Sequence, residues 1–180
     1  MNNTAVRTKS MIYISLFAVL TAVCAWISIP AAVPFTMQTF GVFAATGVLG
    51  GKKGTAAICV YLLLGLAGLP VFSGGTSGPG VLLGSTGGYM LGWILAGLIA
   101  WAVESVFGRS TRTAALSMIL GLAGCYALGT AWFMAVYAQD AGQAGLWGAL
   151  SMCVAPFILP DLLKIALALT IRKRLIRYVQ

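Results

Sequence analysis

Glycines, prolines and charged clusters divide the chain into six apolar segments, at roughly 11–29, 36–50, 54–69, 87–107, 114–137 and 148–171. A helix needs about 20 apolar residues to cross ~30 Å of hydrocarbon. Four segments approach that length; the second and third fall short and are expected to be shielded by neighbouring helices or tilted little. The pattern predicts an all-α integral membrane protein of six transmembrane helices in one membrane domain over residues 1–180, with a long glycine-rich outer loop between helices 3 and 4.

Charge fixes an orientation on this pattern. Arg7 and Lys9 precede the first segment, Lys52 and Lys53 follow the second, Arg109 and Arg112 follow the fourth, and Arg172, Lys173, Arg174 and Arg177 follow the sixth. Ten of the eleven basic residues thus fall on one side, and the opposite connections, Pro30 to Phe35, Pro70 to Thr86 and Gln139 to Trp147, carry none. The positive-inside rule then predicts a multi-pass protein of the cytoplasmic (inner) membrane with both termini cytoplasmic. The run from Met11 to Ile29 is too long for a signal-peptide core and ends in no convincing cleavage site, so it is expected to remain as the first span.

Composition narrows the function. The 180 residues are 60% hydrophobic and 8% charged, and the mean hydropathy is +0.98. The net charge of +8 is spent on orientation, not gathered into the basic, aromatic-interleaved face of a nucleic-acid binder. Cys24, Cys59, Cys125 and Cys153 lie in separate apolar segments without a CxxC, and the chain has no His, so buried reduced thiols are expected and no metal or cofactor site.

The eleventh basic residue is the exception. Lys164 lies eight residues before Arg172, about 12 Å along a helix, and Asp161 lies one turn deeper. Each costs ~2.5–3.5 kcal/mol near a helix centre, so the pair in PFILPDLLK demands an explanation. Three-residue spacing places both on one helix face. One explanation is a self-neutralising structural pair; the other is a ligand site in which Asp161 accepts N–H groups and Lys164 donates to a carbonyl or carboxylate. Pro160 is expected to start a helix, with Asp161 at its N-terminus.

Three further stretches carry candidate chemistry. Leu69 to Trp93 holds seven glycines between Gly74 and Gly88, without Lys or Arg and without a phosphate-binding GxxxxGK[ST], so it reads as a flexible loop or as a lid gripping a ligand through Val81, Leu82 and Leu83. In PFTMQTFG, Thr36, Gln38 and Thr39 offer uncharged donors and acceptors beside Phe35 and Phe40, suiting either a small amphipathic ligand or an interfacial helix start. Tyr89, Trp93 and Trp132 read by themselves as interface or packing aromatics. Ala18 and Ala22 form a small-xxx-small step that suits internal helix packing or contact with another subunit.

These stretches, in this order, resemble the BioY family, the substrate-binding S component of energy-coupling factor (ECF) biotin transporters: VPFTMQTFGV from Val33, GLAGLPVFSGG around Leu69, GVLLGSTGGYMLGW from Gly80 and PFILPDLLK from Pro156. The resemblance implies high-affinity biotin binding from outside, and uptake with a transmembrane coupling subunit driven by two cytoplasmic ATPase subunits. It implies that Asp161 and Lys164 hold biotin, that Tyr89 belongs to the pocket wall, and that Ala18 and Ala22 match a docking motif for the coupling subunit. Thr36, Gln38, Gly80 and Trp93 complete the expected substrate contacts, with Thr76 and Ser77 standing where a polar loop residue is expected. An S component for another small vitamin is the alternative. A membrane enzyme acting on a lipid is less well equipped, since the span offers one carboxylate and the chain no His.

Overall fold

The computed structural model describes residues 3–30, 34–137 and 145–179. The middle of the Pro30–Phe35 connection and most of the Gln139–Trp147 connection lie outside the described residues.

The described chain is all-α apart from one two-residue strand pair. Helix α1 (Asn3–Trp26) leads into β1 (Ser28–Ile29), which pairs antiparallel with β2 (Phe35–Thr36). Then come α2 (Gln38–Leu49), α3 (Gly51–Leu66), the short α4 (Pro79–Leu83), α5 (Gly87–Phe107), α6 (Thr111–Tyr137), α7 (Leu146–Cys153) and α8 (Ala155–Val179). Helices α1, α5 and α6 are long and apolar enough to cross a membrane; α7 and α8, bent by 40° at Val154, make a fourth if taken as one span.

Helix α2 is only 12 residues long, about 18 Å, and 11 of the 12 are buried. A helix apolar all round belongs in an interior. Here α1, α3 and α8 pack around it, so its shortness never exposes unpaired backbone to lipid. One core cluster gathers Phe17, Phe43, Val48, Met118 and Ile165 around α2; a second joins Ala18, Ile58, Tyr61, Phe72, Tyr89 and Trp93. The outer faces carry exposed apolar side chains such as Leu16, Val19, Leu98, Ile119 and Leu163, the surface a bilayer requires.

Two expectations are corrected. The connection between α2 and α3 is the single residue Gly50 at φ +87°, and Lys52 and Lys53 sit in the first turn of α3. Pro160 lies inside α8, not at its start; the break falls nearly two turns earlier, at Val154, and Pro156 occupies the first turn. Asp161 therefore receives no help from a helix N-terminus. Ala18 is buried at 1% exposure and Ala22 is half-buried, both against the second cluster. The small-residue step packs α1 within its own chain, and the exposed face of α1 is Met11, Ile12, Leu16, Val19 and Val23.

The α2–α3 corner is held by charges from elsewhere. Arg172 Nη1 donates to the Gly47 carbonyl (3.0 Å) and Arg109 Nη2 to the Val48 carbonyl (3.2 Å), satisfying carbonyls of the last turn of α2. Glu104 accepts from the Gly51 N–H at 2.7 Å, at the first residue of α3. Cations at a helix C-terminus and an anion at an N-terminus both complement the helix dipoles.

Candidate functional site

A cavity of about 350 Å³ lies between α2, α5, α6 and α8 beside the long loop after α3. Its size suits a small molecule. One wall is polar. Thr36 and Gln38 enter it because β2 ends at Thr36 and α2 begins at Gln38, and Thr39 follows in the first turn. Opposite them, α8 buries the positions Asp161, Lys164, Ile165 and Ala168, a three-four spacing that turns both charges toward α2.

Lys164 uses all three of its donors. Nζ reaches Asp161 Oδ1 at 2.8 Å, the Thr36 carbonyl at 2.7 Å and Thr39 Oγ1 at 2.9 Å, and sits 4.6 Å from the centre of the Phe35 ring. Asp161 Oδ1 also accepts from Thr39 Oγ1 (2.9 Å), and Oδ2 accepts from the Tyr126 hydroxyl (2.7 Å). Both residues are at most 5% exposed. The charges cancel within the protein and every lysine proton is placed. A carboxylate has about four acceptor positions, and three are occupied, so Asp161 retains room for one more N–H. Lys164 contacts a ligand only by releasing one of its present partners.

The facing wall is aromatic and soft. Tyr89, Met90 and Trp93 come from α5, Cys125 and Tyr126 from α6, and Cys153 from the end of α7. Tyr89 hydroxyl pairs with Thr130 Oγ1 at 3.2 Å, and its ring fills the notch left by Gly129. Trp93 is buried and its indole N–H has no hydrogen-bond partner among the described residues. The loop adds Phe72, Ser73, Thr76 and Val81, with Phe72 seated against Gly65 of α3.

Of the expected contacts, Asp161, Lys164, Tyr89, Trp93, Thr36, Gln38 and Thr76 line this cavity. Ser77 and Gly80 do not. Thr76 is extended at φ −80°, ψ 165°, so its neighbour Ser77 is directed elsewhere; Gly80 is exposed and faces open space. Tyr126 and Thr39 make the closest contacts to Asp161 besides Lys164. The sequence signal for Tyr126 was a lone phenol amid an apolar span, which interface or packing explains equally well.

Comparison with known proteins gives a consistent set of relatives. Residues 1–180 match the BioY family. The chain is 41% identical over 172 residues to the biotin transporter BioY of Thermotoga maritima, covering 93% of this chain and 95% of that one. It is 36% identical over 180 residues to the biotin transporter BioY2 of Lactococcus lactis, covering 98% and 94%. Among solved structures it superposes on the S-component for biotin from an ECF-type ABC transporter with a TM-score of 0.82 at 28% identity, covering 97% of this chain and 94% of that one.

Proposed function

The chain belongs to the BioY family, and we propose that it is the substrate-specific subunit of an ECF-type transporter, binding biotin with high affinity for uptake across the cytoplasmic membrane. It acts as a transport subunit and not as an enzyme. A transmembrane coupling subunit and two cytoplasmic ATPase subunits supply the energy. The observation that carries the reading is the buried Asp161–Lys164 pair set across one cavity from Tyr89 and Trp93. Biotin combines a mostly apolar bicycle, a ureido group and a carboxylate. The aromatic wall suits the bicycle, the unused acceptor position on Asp161 suits a ureido N–H, and Lys164 suits a carbonyl or carboxylate oxygen. Thr36, Gln38 and Thr76 supply uncharged contacts around them, and the Ala18–Ala22 step of α1, of which Ala22 is the more accessible, is the docking element for the coupling subunit.

Isothermal calorimetry of the detergent-purified chain, alone and without ATPase subunits, is expected to detect saturable one-site binding of biotin and none of thiamine or riboflavin. Binding of thiamine or riboflavin in its place would move the protein to another vitamin; no binding of any of the three would remove the reading.

The same proposal places six spans in the bilayer, with α2 and α3 as short ones shielded by neighbours, the single membrane domain covering residues 1–180 and both termini in the cytoplasm. The ten-to-none distribution of basic residues supports it. Cysteines introduced from Gly142 to Gly145 are expected to react with a membrane-impermeant maleimide added outside intact cells. Labelling from the cytoplasmic face alone would invert the orientation.

A further inference from the structure

Gln38 ends a chain of hydrogen bonds that runs away from the cavity. Its Nε2 donates to the Tyr61 hydroxyl at 2.6 Å, and that hydroxyl donates to the Val71 carbonyl at 3.0 Å. On the other side of the amide, Thr36 Oγ1 donates to Gln38 Oε1 at 2.8 Å while accepting the Gln38 backbone N–H at 3.2 Å. Tyr61 is fully buried, does not line the cavity, and is wedged edge-on against Phe72 and beside Trp93.

The direction of this chain is dictated at its far end. A backbone carbonyl only accepts, so with Val71 as its acceptor the Tyr61 proton is committed, and the phenol oxygen has only lone pairs to offer Gln38. The amide must therefore turn its NH2 toward Tyr61 and its oxygen toward Thr36. Rotating the amide by 180° would set Oε1 against the phenol oxygen's lone pairs and NH2 against a threonine hydroxyl already accepting a backbone N–H. One proton of Nε2 is used on Tyr61; the second has no partner among the described residues, on a side chain that lines the cavity.

We infer that Tyr61 is a positioning residue for ligand recognition: through the Val71 carbonyl it locks the Gln38 amide so that the side chain offers an N–H donor to a carbonyl or carboxylate oxygen of the bound vitamin. The inference rests on the biotin-binding reading for its ligand and on the relay alone for its geometry. It adds a donor beside Lys164, so that an acceptor group of the ligand meets two donors from different elements. It also makes the position of Val71, at the start of the long loop, a determinant of amide orientation.

The test is a double-mutant cycle on biotin affinity, with Tyr61→Phe, Gln38→Ala and the two combined. Phenylalanine keeps the ring against Phe72 and Trp93 and removes only the hydroxyl. Loss of one oriented hydrogen bond is expected to weaken binding about tenfold in Tyr61→Phe. Because Tyr61 acts through Gln38, the double variant is expected to bind no more weakly than Gln38→Ala by itself. Additive losses, or wild-type affinity in Tyr61→Phe, would overturn the inference. Gln38→Glu gives an arm that does not depend on Tyr61→Phe folding. A carboxylate has no N–H for the phenol or the ligand, so binding weaker than that of Gln38→Met is expected, and wild-type affinity would overturn the donor assignment. A ligand-free measurement separates this inference from the biotin reading. The side-chain 15N–1H resonances of Gln38 are expected to shift in Tyr61→Phe whether or not any vitamin binds, and unchanged resonances would discard the relay.

Discussion

Lys164→Met is expected to be among the most damaging single substitutions in this protein, lowering stability by about 3–5 kcal/mol and biotin affinity with it. The cause is what the lysine leaves behind. Asp161 is 2% exposed and its Oδ1 faces Lys164 Nζ at 2.8 Å; without the ammonium, the Thr39 and Tyr126 hydroxyls are its remaining donors among the described residues. The Thr36 carbonyl loses its partner at the same time. Asp161→Asn is milder, since the amide oxygen still accepts from one of the Thr39 and Tyr126 hydroxyls and the NH2 can donate to the other, but it strands the lysine charge. Asp161→Asn with Lys164→Met removes both charges and is expected to restore a monodisperse peak in size exclusion and a thermal melt near that of the parent. Biotin binding should nevertheless stay at least tenfold weaker, because a charge-assisted hydrogen bond contributes about 1.5–3 kcal/mol and 1.4 kcal/mol is a factor of ten. A folded double variant that binds like the parent would reduce the pair to a structural role and leave recognition to Gln38, Thr76 and the aromatic wall.

The second large effect is expected at Gly51→Ala. An added Cβ would lie 2.2 Å from the Trp101 backbone nitrogen and 2.3 Å from its Cα, in the middle of α5. Helix backbone, unlike a side-chain tip, does not rotate aside, so α3 must move as a body. That movement pulls the Gly51 N–H from Glu104 Oε2 and loosens the corner that Arg109 and Arg172 hold. Overpacking commonly costs about 1–3 kcal/mol, and the upper end is expected here, exceeding the gain of up to ~1 kcal/mol from replacing glycine in a helix. For a chain of this size about 3 kcal/mol corresponds to a melting temperature lower by roughly 6–12 °C. Gly80→Ala is the control: a Cβ there meets nothing within 4 Å, and its melt should match the parent. Equal melts for the Gly51 and Gly80 variants would mean that α3 and α5 are not packed backbone to backbone.

Much of the architecture was legible along the chain because a bilayer leaves few options. Spanning backbone has to satisfy itself as helix, so each apolar segment between glycine, proline or charge clusters predicted a helix. The segment 87–107 coincides with α5, and 114–137 with all but the first turn of α6. Asp161 and Lys164 stood out for the same reason: ionised groups in an apolar segment are costly enough to advertise themselves. The sixth segment was harder. Two prolines four residues apart each suit a first helical turn, and the sequence offers no local reason to prefer Pro156, the one the fold uses, over Pro160, which α8 accommodates in its interior.

The sequence by itself thus determined that this is a helical membrane protein, roughly where most of its helices run and which two charges lie within an apolar segment, since hydrophobic burial and ionisation costs are properties of each residue in its segment. Which groups those charges meet was decided only by the tertiary structure. Lys164 finds Thr36 and Thr39 across 128 and 125 residues, Asp161 finds Tyr126 across 35, and Gln38 finds Tyr61 across 23. The same holds for Ala18, whose small side chain permits close approach to any neighbour but does not say to which. Hydrogen bonds and close contacts are specified by distance and angle, and two helices of one apolar pattern can be packed in many rotations, each presenting a different set of partners; only the packed arrangement selects one.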